Sequence, residues 1–139
     1  MKTNLDVLFK TDDKIEKEGI WFDIDEEIGF RMRRFNDRNP KVKAAMAKHY
    51  KPFARQIDMG SIAADREREI LTNLFVDSCL IDWKGVEIDG EKKEYDRNVA
   101  ISFFNELPDL MQTLFDYAKD FNNFREKFNE GDVEYLGNS

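Results

Sequence analysis

One cysteine, one histidine and three prolines in 139 residues limit what this chain can be before anything else is read. Cys79 has no second thiol to close a disulfide or complete a metal pair, which fits a reducing compartment, and it is expected to pack as a small hydrophobe. A single histidine cannot build HExxH or any multi-histidine metal centre; His49, on the apolar side of its helix, reads as a packed, hydrogen-bonded residue. Long apolar runs are missing too. No stretch approaches the ~20 residues of a membrane helix, and MKTNLDVLFKTDDKIEKE at the N-terminus holds no signal-peptide core. A cytoplasmic protein is expected.

Motifs of chemistry are equally scarce. The run Gly85 to Lys92 echoes a GxxxxGK[ST] phosphate loop, but Glu91 stands where lysine belongs, and a carboxylate there repels phosphate. Asp23, Asp25 and Glu27 have the spacing of a calcium loop, yet Gly29 comes one residue late and Arg34 replaces the closing glutamate. Ser61, Ser78, Ser102 and Cys79 sit in no nucleophile signature. The expectation is a non-enzyme with no catalytic, cofactor or metal residues.

What the chain does have is charge and aromatic surface. Charged residues make up 37%, hydrophobic ones 41% and aromatics 13%, with a mean hydropathy of −0.68, so the chain should fold as a soluble domain. Its length suits one domain, set at residues 1–131, with 132–139 as a loose tail. Net charge is −7, unevenly spread: Arg31, Arg33, Arg34, Arg38, Lys41, Lys43, Lys48, Lys51 and Arg55 face one acid, Asp37, giving +8 there and −15 elsewhere.

The periodicities predict a mainly helical α+β fold of four to five helices with an N-terminal β-hairpin. Ile20–Ile24 and Phe30–Phe35 form the hairpin, with a bulge or strand end near Arg33. Asn39-Pro40 opens a helix to about Lys51 whose Val42, Ala45, Met46 and His49 share one face. Ser61 is expected to cap a long central helix reaching Trp83, with Val76 and Leu80 requiring cover on its far side. Asp89-Gly90 marks a small hairpin, Asp96 caps the next helix, and Pro108 starts a last one running to about Phe128 before Gly131.

That last segment carries the functional question. Between 103 and 124, FFNELPDLMQTLFDYAKDFNNF holds five phenylalanines, and on a helical wheel the apolar residues of 108–128 span roughly 180°, against the ~100° a helix on a core requires. Either the helices fold back and every aromatic is core, or one margin of Met111, Phe115, Tyr117 and Phe124 stays open as a patch for a partner's amphipathic helix.

The succession GIWFDI, GFRMRRF, KVKAAMAKHYKPFARQI, ILTNLFVDSCLIDWKGV and NVAISFFNELPDLMQTLFDYAKDFNNF resembles the tail assembly chaperones of long-tailed bacteriophages over about residues 5–128. The resemblance implies a small non-catalytic protein of the infected host's cytoplasm. Its expected work is to coat the aggregation-prone tape measure protein and bring tail tube subunits to it, with self-association as a further expectation. No binding motif transfers residue by residue; the candidate partner residues are Met111, Phe115, Tyr117, Phe124, Arg33, Arg34 and Lys43. The rival class is nucleic-acid binding, because residues 31–55 interleave Phe35, Tyr50 and Phe53 with cations. Against it stand the −15 elsewhere and a pI near 4.8, and an acidic protein neutralising its own surface explains the cations as well.

Overall fold

A computed structural model of the chain describes residues 1–126. It is a mixed α+β architecture, mainly helical. Two short helical turns, α1 (Asp6–Phe9) and α2 (Asp13–Glu18), precede the hairpin. Asp12 caps α2 by accepting the N–H groups of Lys14 and Ile15.

Strands β1 (Ile20–Asp23) and β2 (Gly29–Met32) pair antiparallel, as expected, with Phe22 opposite Phe30. β2 is the middle strand. Its other edge is taken by β3 (Leu80–Lys84), with a register shift that leaves Ile81 as the extra residue on β3, while β2 itself ends at Met32, ahead of the doubled arginines.

β3 corrects the expected long helix. The central helix α5 spans Ala64–Ser78 and stops there, and Leu80, Ile81 and Trp83 belong to a strand. Short apolar runs satisfy both periods, and here the open edge of β2 decides between them, because its backbone groups need partners. Ser61 is not the cap either; its hydroxyl donates to the Gln56 carbonyl, and Ala63 precedes the helix.

After Asn39, whose side chain accepts from Lys41 N–H, α3 (Pro40–Ala45) widens into a π-helical turn at Met46–Tyr50, then a 3-10 turn at Lys51–Phe53 and α4 (Ala54–Asp58). Pro52 has no N–H to offer the Lys48 carbonyl, so a regular helix cannot continue through it.

β4 (Glu87–Ile88) and β5 (Glu91–Lys92) form the small hairpin around Asp89 and Gly90, both at positive φ. Asp96 caps α6 (Arg97–Glu106) through the Val99 N–H, and Pro108 begins α7 (Pro108–Lys119). α7 ends earlier than the sequence predicts. Asp120 turns the chain and caps a 3-10 turn, Phe121–Phe124, by accepting from Asn122 N–H, a local bond that competes with helix continuation. Phe128, Gly131 and the tail at 132–139 lie outside the described residues.

The core sits between the sheet and helices α5, α6 and α7. Phe75 meets Phe104 edge-on at 5.6 Å, Phe30 lies 6.0 Å from Phe104, and Trp83 packs against Phe103 at 5.3 Å while its indole N–H donates to the Lys93 carbonyl. Thr72 and Ser78, both buried on α5, satisfy their hydroxyls on the carbonyls of Arg68 and Leu74.

Candidate functional site

The margin of α7 expected to stay open is closed. Met111 is 2% exposed, Phe115 3% and Phe124 0%. Phe115 is walled in by Phe35 at 5.0 Å and Phe75 at 5.4 Å, with the Lys119 ammonium 4.1 Å above its ring. Tyr117, half-buried, packs its ring at a tilt against Phe22 of β1, centroids 4.3 Å apart.

Phe124 is covered in a way periodicity gives no hint of. The N-terminal segment returns across the end of the described chain. Asp12 N–H donates to the Phe124 carbonyl, Glu126 N–H to the Lys10 carbonyl, Arg125 reaches the carbonyls of Val7 and Leu8, and Phe9 stacks on Phe121 at 5.8 Å. Among the described residues most of the apolar arc is thus used by self-packing, because α7 meets neighbours on three sides rather than one.

Two of the candidate cations are also committed within the molecule. Arg33 is half-buried, which lowers its pKa, and donates to the Ser78 carbonyl at 3.2 Å. Arg34 pairs with Glu16 of α2 at 2.6 Å, both side chains largely covered. Lys43 alone of the three stands exposed.

Lys43 borders an apolar groove. Phe35, Val42 and Met46 form the floor of a hollow of about 330 Å³, and Asp37, Lys43 and Lys51 stand at its rim. Each floor residue has a structural reason to be there. The Phe35 N–H donates to the Ala118 carbonyl, fixing the chain just beyond the end of β2 against α7. Val42 is the buried residue of the first turns of α3, and Met46 opens the π turn, where the altered spacing carries the following residues around the helix. Arg38, Lys41 and Lys48 are exposed on the same segment, so the surroundings are strongly basic. In sequence, Val42 and Met46 appear as one helix face, but Phe35 joins them only through the fold.

Beside the groove lies an ion-paired cluster. His49 Nε2 is 2.5 Å from Asp77 Oδ2, and Arg97 grips both carboxylate oxygens, at 2.6 and 2.9 Å. These side chains tie the π turn to α5 and α6. Burial raises the Asp77 carboxyl, but the hydrogen bonds from Arg97 and His49 outweigh it and hold the group below its ordinary range. Spacings of 28 and 20 residues leave no local signal for such a cluster.

Among the described residues no three His, Cys, Asp or Glu side chains converge as metal ligands would, and no helix is long and apolar enough to cross a membrane. What the groove can do is take up apolar side chains of a partner while its cations meet acids beside them.

No curated protein and no solved structure matches the chain at a significant level. A family model described as "YdaY prophage protein" matches residues 37–134, the greater part of the sequence and the whole stretch from α3 through α7. The chain therefore belongs to the YdaY prophage protein family and is of bacteriophage origin.

Proposed function

We propose that this chain is a non-catalytic tail assembly chaperone, working in the host cytoplasm, that binds and solubilises the phage tape measure protein and helps recruit tail tube subunits. The observation that carries the reading is the groove of Phe35, Val42 and Met46, an open apolar hollow on an otherwise highly charged protein of prophage origin. A tape measure protein awaiting its tube exposes apolar helix stripes, and a groove with a greasy floor binds many similar stripes without demanding one sequence. Methionine at such a floor adapts to different side chains. The basic rim favours stripes flanked by aspartate or glutamate and steers them in from solution. The −7 net charge supports solubility of the complex.

The test is co-expression with a phage tape measure protein. Wild-type chain should move a large share of that protein into the soluble fraction. Lys43→Glu with Lys51→Glu, both exposed and outside the core, should cut that share several-fold while leaving circular dichroism unchanged. Equal solubilisation by the double variant would remove the groove from the account.

A further inference from the structure

The groove has a counterpart on the same molecule. The turn between β1 and β2 reads Asp23-Ile24-Asp25-Glu26-Glu27, every residue exposed, with Ile24 at 45% and four carboxylates around it. It is a built projection rather than a loose loop. Asp25 Oδ1 accepts the N–H groups of Glu27 and Ile28 at 2.8 and 2.7 Å, Ile24 N–H donates to the Ile28 carbonyl, and Asp23 pairs with Lys84 of β3 at 3.0 Å. Gly85, at φ +74°, lies so close to Glu27 that any Cβ there would overlap the Glu27 carbonyl, so the end of β3 buttresses the tip from beneath. An exposed apolar side chain ringed by acids on a rigid tip is the complement of an apolar hollow rimmed by lysines.

We infer that the hairpin tip of one copy, with Ile24 leading, docks in the Phe35–Val42–Met46 groove of a second copy, its carboxylates against Lys43 and Lys51. The tip precedes β2 and the groove follows it, so the two stand at opposite ends of that strand and a chain does not reach its own groove. Asp37 is the single acid on the rim, and it is outnumbered by Lys43 and Lys51 there and by Arg38, Lys41 and Lys48 around it. Tip and groove are different surfaces, so the contact is heterologous and closes into a ring or runs on as a chain of copies. Preorganisation of the tip removes the ordering cost that a flexible segment would bring. If the groove also takes a client, as proposed above, a neighbour's tip and the client exclude one another there, and self-association becomes the resting cover of the groove.

The experiment uses the purified full chain in sedimentation velocity, over a concentration series at low and high salt. Wild-type mass should rise above 16.5 kDa with concentration, and the association constant should drop about tenfold or more in high salt as the ion pairs are screened. Glu26→Lys with Glu27→Lys should abolish association, and so should Lys43→Glu with Lys51→Glu. Mixed one to one, the two variants should associate again, because each then offers the other a complementary tip and groove. Wild type that stays monomeric throughout, variants that associate as wild type does, or a mixture that stays monomeric would each overturn the inference. The tip variant keeps the client groove intact, so its solubilisation of the tape measure protein reports on the chaperone reading separately.

Discussion

Cys79 shows how far the environment of one residue departs from its type. Burial pushes its thiol up to about 12, with the Ser78 hydroxyl and the charges of Arg33 and Lys119 pulling the other way. At pH 8 almost none of it is thiolate, and no reagent reaches it without an opening of the α5–β3 junction. Alkylation of the native protein should therefore run at least about tenfold slower than in denaturant, where the thiol is exposed and free to ionise. Mass spectrometry of timed samples checks this. Labelling at the unfolded rate would mean that the junction of helix and strand is not closed. The assignment of Cys79 to the core is one that composition allows, since a lone cysteine is among the most buried residue types. The burial of its neighbour Ser78 follows from the helical stripe it shares with Leu74 and Phe75, and its hydroxyl is satisfied by donating to the Leu74 carbonyl four residues earlier.

Among elements, the π turn at Met46–Tyr50 depends on the bonds that pin it. Asp77 joins it to α5 and α6 through His49 and Arg97, and the folded carboxyl titrates below its ordinary value of 3.8. A lowered folded value means that the cluster's contribution is complete above about pH 5 and is lost as pH falls through the folded value. Asp77→Asn should cost about 1–2 kcal/mol near neutrality, at the lower end for a paired carboxylate because Arg97 is partly solvated. In urea unfolding, the gap to wild type should narrow between about pH 5 and about pH 2. A gap that stays constant over that range would assign the effect to packing instead of charge.

Element types with a cap or turn signature were readable in advance: Asn39-Pro40, Asp96, Pro108 and Asp89-Gly90 each stand where an element begins or turns. The failures lie where tertiary partners decide. LIDWK follows a helix and fits its period, yet it completes the sheet on β2, and Asp120 diverts α7 although neither glycine nor proline marks the place.

For the whole molecule, the aromatic excess and the charge separation have different fates. The aromatics of 103–124 are largely consumed by the core and by the N-terminal strap that covers Phe124. A wide apolar arc on a wheel says how much surface must be covered and nothing about whose surface covers it. Part of the +8 segment is likewise consumed, in Arg33 on the Ser78 carbonyl and Arg34 on Glu16. Lys43 and Lys51 remain at the rim of a hollow. The apolar opening thus lies away from where the helical wheel points, and it is assembled from Phe35 and from Val42 and Met46 beyond the turn at Asp37 and Arg38.

Hydrogen exchange of the chain, alone and mixed with a soluble helical fragment of a phage tape measure protein, tests the proposed client site most directly. The account predicts added protection concentrated on residues 35–51, with the amides of α7 unchanged because that helix is already covered. Protection gathered on α6 and α7, with residues 35–51 exchanging as in the free protein, would contradict it.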